Sequence, residues 1–290
     1  MSTAPASPAL IDPSLREAHA REIGDGNRFA FGKNWARFLE VLTDERIAEA
    51  ERSLRTMLGV EELRGRRFLD VGSGSGLFSL AARRLGATVH SFDYDADSVG
   101  CTAELRRRYD AGSDGWVVEH GSVLDEAYLR GLGQFDVVYS WGVLHHTGAM
   151  WQAIDNVLPL VAPGGQLFIA LYNDQGAWSA RWHGIKRVYC SGAAGRALVS
   201  ATVIPYWVLR GLAADLVWRR NPAARYREYE RGRGMSVTHD WFDWLGGFPF
   251  EVAKPEEVFD HLSRHGFRLE RLTTVGGSMG CNEFVARRDA

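Results

Sequence analysis

The sequence predicts an α/β protein built on a doubly wound, mostly parallel seven-stranded sheet. Three observations predict it. From Arg67 onward, short apolar runs alternate with helical stretches, the pattern of βαβ units with right-handed crossovers. A glycine-rich turn, Gly72-Ser-Gly-Ser-Gly76, stands between the first run and the first helix. Asp93 then closes the second run about twenty residues on, where such sheets place a carboxylate against a ribose. With 290 residues, 46% of them hydrophobic, the chain can bury a core of this size.

Residues 1–13, rich in Ala, Ser and Pro, read as a disordered tail without the basic start and apolar core of a secretory signal. Residues 14–65 read as a helical N-terminal cap, since Phe38, Leu39 and Leu42, then Ile47, Ala50 and Leu54, recur at helical spacing. Within the cap, the aromatic segment from Phe29 to Trp35 reads as a loop entering a helix. The core, residues 66–174, follows as strands over 67–71, 88–92, 116–119, 135–139 and 166–172. Helices over 77–85, 97–109, 124–132 and 150–161 separate them. The alternation stops at Asn173, and residues 175–253 read as a helical lid or substrate insertion rich in Trp and Arg. Order returns at Lys254-Pro-Glu-Glu257, with proline and acids in a first helical turn. Gly266 ends that helix, and runs over 267–275 and 282–286 complete the seven strands in a C-terminal part of the core, residues 254–290.

A net charge of −2 gives no global pull toward nucleic acid. Cys101, Cys190 and Cys281 lie far apart with no CxxC spacing, so a reducing, cytoplasmic setting fits best. The apolar stretch 197–218 is interrupted by Pro205, Arg210 and Asp215, which argues against a membrane span and for a buried or lid helix. A surface-lying helix is the alternative, because Arg219 and Arg220 follow directly. The run Arg219, Arg220, Arg225, Arg227, Arg231, Arg233 is interleaved with Glu228 and Glu230 and reads as a solvated face. His239, Asp240 and Asp243 lack a diagnostic ligand spacing, so no metal is expected.

The strongest signal is Phe68-Leu-Asp-Val-Gly-Ser-Gly-Ser-Gly-Leu-Phe78. Glycines permit positive φ and close approach of a ligand to backbone, and the helix that follows offers free N–H groups. The third glycine comes one residue earlier than in the dinucleotide GxGxxG turn, and Asp70 precedes the first. This D-x-G-x-G-x-G form resembles the first motif of class I, Rossmann-like methyltransferases dependent on S-adenosylmethionine (SAM), of the small-molecule type. The resemblance extends in order and spacing over 68–174, including the Pro163-Gly-Gly165 turn, and in outline from Lys254 to the end. It implies SAM as cofactor, whose sulfonium and ammonium suit an acid at the turn.

Carried over residue by residue, the resemblance implies cofactor contacts from Asp70, Gly72, Ser73, Gly74 and Gly76, and a grip of Asp93 on both ribose hydroxyls. Tyr94 would pack on the adenine. Ser122 stands where the family often has an acid, so the adenine edge falls to Ser122 or the backbone of Val123; Asp125 is a weaker candidate that also suits a helix cap. Ser140 and Trp141, after strand four, would run along the methionine part of the cofactor. His145 and His146 stand at the family's reaction side and have the pKa range of a general base. Adjacent residues diverge, so one of the two is expected to face the site, with His145 slightly preferred. Candidate substrate contacts are Phe31, Trp35, Asn173, Asp174, Trp178 and Trp182.

These expectations lead to methyl transfer onto a small-molecule hydroxyl, on a sugar, glycan or phenol, with a histidine base. An amine acceptor, an RNA substrate or a non-catalytic SAM-binding regulator are the alternatives. Ser140-Trp-Gly-Val143 does not match the base-stacking motif of amino-methylating DNA enzymes, so DNA is not expected; near-neutral charge disfavours RNA. The acceptor and the oligomeric state are left open by the sequence.

Overall fold

A computed structural model describes residues 11–290 apart from 112–113, 219–220, 222–240, 242–243 and 277–279. The arginine run that begins at Arg219, and His239, Asp240 and Asp243, therefore lie outside the described residues. Three helices come first: α1 (Pro13–Gly24), capped by the Asp12 carboxylate, α2 (Gly32–Glu40) and α3 (Asp44–Leu58). Thr43 caps α3 at its start, and Gly59 ends it in the left-handed conformation that a Cβ disfavours.

The core alternates β1 (Arg67–Val71), α4 (Leu77–Arg84), β2 (Thr88–Asp93), α5 (Ala96–Tyr109), β3 (Trp116–His120), α6 (Glu126–Leu132), β4 (Phe135–Trp141), α7 (Met150–Val157) and β5 (Val161–Tyr172). After the insertion helices α8 (Ala177–Cys190) and α9 (Ala193–Val217) come α10 (Pro255–Arg264), β6 (Phe267–Thr273) and β7 (Cys281–Arg288). The seven strands lie in the order β3-β2-β1-β4-β5-β7-β6. Pairs among β1 to β5 are parallel, and β7 runs antiparallel to β5 and β6. Strand order reverses between β1 and β4, and the crevice beyond the carboxyl ends of those strands is where open α/β sheets bind ligands.

Both faces of the sheet are covered. One core joins Ile47, Leu54, Leu80, Leu105 and Phe168 beneath α2 to α5. The other joins Leu129, Ile154, Val157, Val258 and Leu262 beneath α6, α7 and α10. A third, smaller core of Trp182, Tyr189, Val199, Leu245 and Phe250 belongs to the insertion.

Two local expectations are corrected. The helix expected over 150–161 stops at Val157, because Pro159 turns the chain through a 3-10 segment, Leu158–Leu160. β5 then begins at Val161, and Pro163-Gly164-Gly165 forms an irregularity in its pairing with β4 rather than a turn ahead of the strand. The apolar stretch expected to form a buried or lid helix lies in α9, and burial is the part that fails: 6% of its most apolar stretch is buried. One face, with Val199, Val203, Ile204 and Trp207, packs in the insertion core, and nothing among the described residues covers the opposite side.

Candidate active site

β1 delivers Asp70 and then the glycine loop. Gly72, Gly74 and Gly76 hold φ of 78, 55 and 79°, values a side chain resists. Space adds a second constraint: a Cβ on Gly72 would stand 2.4 Å from a Val143 methyl, and one on Gly74 3.0 Å from the Trp35 ring. The loop is fixed by Gly72 and Ser73 N–H groups donating to the Phe92 carbonyl, and by Ser73 Oγ against Thr102 Oγ1 at 2.9 Å. Asp93, at the end of β2, accepts from Gly74 N at 2.9 Å and from Asp95 N at 2.9 Å. Each carboxylate oxygen keeps a further lone pair for a hydroxyl.

Asp70 is held by a buried relay. Trp116 Nε1 donates to Ser91 Oγ at 2.8 Å, the Ser91 hydroxyl lies 2.7 Å from Ser79 Oγ, and the Ser79 hydroxyl donates to Asp70 Oδ2. Burial, partly offset by the Ser79 hydrogen bond, pushes the Asp70 carboxyl up to about 7. Burial also pushes Asp93 up to about 6, against the lowering effect of its backbone hydrogen bonds. Two carboxylates whose charge the protein solvates poorly form a setting that a cationic ligand relieves.

Asp70, Gly72, Ser73, Gly74 and Asp93 line one cleft of about 840 Å³, whereas Gly76 packs against Thr102 outside that lining. The floor of the cleft is the glycine loop with Asp70, Asp93 and Tyr94. One wall is Ser122 and Val123, and Trp141, Val143, His146 and Thr147 close another side. The roof comes from the N-terminal cap, with His19, Glu22, Arg28, Phe29, Phe31 and Trp35. Gly32 N donates to Asp95 Oδ2 at 2.7 Å and pins the start of α2 over the loop. Arg28 pairs with Glu22, lies 5.0 Å from the Tyr94 ring centroid and donates to the His146 carbonyl at 2.9 Å. The Tyr94 hydroxyl donates to Glu22 at 3.1 Å. His19 and Glu22 on α1, and Arg28 in the bend after it, escaped sequence reasoning, since isolated polar residues on a short helix or in a loop carry no periodic signal. The aromatic segment beside them was the one available hint.

Other sequence candidates stand elsewhere. Ser140 is buried and donates to the Val71 carbonyl at 3.0 Å, a strand-to-strand tie away from the cleft lining. Asp125 is at the cleft edge but caps α6 through Ala127 N and Tyr128 N. Asn173 donates to the Gly276 carbonyl and accepts from Asn282, and Asp174 accepts from Gly176 N in a turn. Trp178 is exposed beneath Arg181, and Trp182 packs edge-on to Trp244 at 4.4 Å inside the insertion core. None of these four lines the cleft, whereas Phe31 and Trp35 do.

The two histidines divide. His145 is fully buried behind the cleft, its ring 4.0 Å from that of Tyr172; Nδ1 accepts from Tyr172 N at 3.4 Å, and Nε2 has no hydrogen-bond partner among the described residues. His146 lines the cleft, with its ring 5.1 Å from Phe31. Its Nδ1 is 2.6 Å from the Pro249 carbonyl. A carbonyl only accepts, so Nδ1 carries the proton and Nε2 presents the lone pair. Burial pushes His146 down to about 3, with the Pro249 hydrogen bond opposing.

A family model described as a methyltransferase domain matches residues 42–217, more than half of the chain. The chain belongs to the methyltransferase-domain family. It has the class I methyltransferase fold, and the residues present fit SAM: a cation would relieve the two poorly solvated carboxylates, and the buried Tyr139 hydroxyl, without a hydrogen-bond partner among the described residues, lines the same cleft. Among curated relatives, the ubiquinone biosynthesis O-methyltransferase of Sinorhizobium fredii is 33% identical over 113 residues, 39% of this chain and 44% of that protein. The protein of that name from Brucella melitensis biotype 2 is 32% identical over 111 residues, 38% of this chain and 43% of that one. The matches thus span under half the length of these relatives. A crystal structure of the [4+2]-cyclase SpnF superposes with a TM-score of 0.51 at 14% identity, covering 83% of this chain and 81% of that one, a likeness of fold.

Proposed function

We propose that this methyltransferase moves the methyl group of SAM onto a hydroxyl of a small-molecule acceptor, with His146 rather than His145 receiving the proton. The observation that carries the proposal is one cleft shared by the glycine loop, Asp93 and His146, whose Nδ1 is occupied by the Pro249 carbonyl and whose Nε2 is thereby the basic nitrogen. In this reading Asp70, Gly72, Ser73 and Gly74 cradle the methionine part of SAM, Asp93 binds the ribose, and Tyr94, Ser122 and Val123 enclose the adenine. Trp141 borders the methionine end, and Phe31 and Trp35 cover the acceptor and exclude water. Residues 14–65 act as a cap, 66–174 with 254–290 as the cofactor-binding core, and 175–253 as an insertion that buttresses His146 through Pro249.

The methyl carbon is already activated when SAM is bound, so the chain's task is alignment. His146 Nε2 accepts a hydrogen bond from the acceptor hydroxyl and points an oxygen lone pair at the methyl group. A low imidazole pKa suits a late proton transfer, because an ether oxygen protonated by methyl gain is a far stronger acid than an imidazolium. The shared identity with O-methyltransferases supports a hydroxyl over an amine.

The test is mass spectrometry for methyl gain on a panel of phenols, catechols and sugars, with His146→Ala alongside. A positioned base contributes about 10²- to 10⁴-fold, and a loss of kcat in that range is expected with SAM affinity unchanged. Full activity of His146→Ala on amines, and none on hydroxyls, would replace this proposal with N-methylation.

A further inference from the structure

We propose that α9 lies on an anionic lipid surface. At about 100° per residue, Leu198, Pro205, Leu209, Leu212 and Leu216 form one stripe, flanked by Ala201, Ala213 and Val217. Leu198, Leu209 and Leu216 are 61, 66 and 81% exposed, and the aromatic Tyr206 and Trp218 are 58 and 72% exposed. The opposite face is the one that packs in the insertion core. A stripe of this kind in water is costly, since aliphatic side chains lose about 25 cal/mol per Å² left exposed.

Length, apolarity and the sign of the exposed charges favour a bilayer as the occupant. The charged residues of α9 are Arg196, Arg210 and Asp215; the two arginines are exposed and Asp215 is buried. The exposed charges of α9 are therefore cations alone; at about 100° per residue Arg210 stands about 120° and Arg196 about 160° from Leu198, beside the packed face rather than within the stripe, and Arg219 and Arg220 follow in sequence. A bilayer fits this helix: its 25 residues include an apolar stretch of mean hydropathy 1.4, 6% of it buried, and long arginine side chains beside such a stripe reach anionic headgroups. Tyr and Trp at the margin of an apolar stripe are the residues that sit at headgroup level. α9 packs on α8, and α8 holds the 244–250 segment through Trp182 on Trp244 and Lys186 on the Trp244 carbonyl. That segment supplies Pro249 to His146 and receives Phe29 N–H on the Phe248 carbonyl. The docked face thus connects rigidly to the cleft rim.

Co-sedimentation of the full chain with phosphatidylglycerol–phosphatidylcholine vesicles tests this, beside pure phosphatidylcholine. The expected result is binding to the anionic vesicles, weakened at least tenfold by salt or by Leu209→Glu with Leu216→Glu. Both positions are exposed, so the double variant keeps its SAM affinity in calorimetry, which separates lost docking from lost cleft. No pelleting with anionic vesicles overturns the proposal. So does a dimer in light scattering that the double variant dissociates, which would assign the stripe to a second copy.

A separate cluster carries an independent inference: the geometry points to a zinc-class dication site between α7 and α10. Asp155, His261 and His265 place their ligand atoms within 4.8 Å of one another. His261 Nε2 is 2.6 Å and His265 Nε2 3.9 Å from Asp155 Oδ1. These bracket the roughly 3.3 Å between ligands around a tetrahedral zinc with bonds of about 2.0–2.1 Å. His265 Nδ1 lies 2.8 Å from the His261 carbonyl. That contact fixes the proton on Nδ1 and leaves Nε2 bare, the outer-shell arrangement of metal-binding imidazoles. Two imidazoles and one carboxylate suit zinc over magnesium or calcium.

Titration with zinc chloride is expected to show one saturable equivalent and a raised Tm. His265→Ala and Asp155→Asn should each weaken uptake at least tenfold with SAM affinity unchanged. Absence of a saturable equivalent, or equal uptake by His265→Ala, overturns the site.

Discussion

At the scale of single residues, Asp93 and His146 do different work and titrate differently. Charge-assisted hydrogen bonds are worth about 1.5–3 kcal/mol, so Asp93→Ala should weaken SAM binding roughly 10- to 100-fold, read by calorimetry. The sign of the pH dependence follows from burial. Asp93 stands at about 6, above its ordinary 3.8, so it gains a proton as pH falls through about 6. SAM affinity should drop there, two units earlier than for an exposed carboxylate. His146, at about 3, stays neutral over that range; kcat at saturating SAM should hold where an ordinary histidine base would fail. A kcat that falls with an apparent pKa near 6.5 would remove His146 from the role of base. Gly72→Ala combines a φ of 78° with a collision against Val143. It should lose roughly 1–3 kcal/mol of stability, with a lowered Tm.

At the scale of elements, the insertion rests on an unusual buried cation. Lys186 is wholly buried, donates to the Trp244 carbonyl and lies 4.1 Å from the Trp244 ring centroid. Burial pushes it down to about 7 from 10.5. Between those values the folded chain binds fewer protons than the unfolded one, so stability rises with pH from about 7 to 10. Melting of the wild type should show that rise, and Lys186→Met should flatten it. Element types were legible in the sequence where local pattern governs: β1, the glycine loop, α4 and β2 follow from apolar runs and glycine spacing. Lys254-Pro-Glu-Glu257 opens α10 as its proline and acids require. Whether α9 is buried or lies exposed was not legible, because an apolar run records what a helix avoids in water, and which surface covers it is decided by contacts elsewhere.

At the scale of the whole molecule, cleft and stability are linked. Asp70 and Asp93 both stand above ordinary carboxyl values. At these two sites the folded protein therefore binds more protons than the unfolded chain between about pH 4 and 7, so their contribution to stability falls as pH rises through that window, opposite in sign to that of the buried, neutral His146. A bound cation favours the ionised carboxylates, so the Tm increment from saturating SAM should grow between pH 5 and 8; a constant increment would separate the two acids from the ligand's charge. The sequence by itself determined the doubly wound sheet, the glycine loop and the acid on the next strand, because periodicity and positive-φ turns are encoded within a few residues. Tertiary structure alone decided that His146 and not His145 borders the cleft, since the Pro249 carbonyl that orients it lies 103 residues away. It likewise decided that the cap, through Glu22, Arg28 and Trp35, roofs the cofactor loop while Trp182 packs the insertion. Side-chain direction at a site depends on which distant backbone groups and faces the fold brings against it, and no local pattern records them.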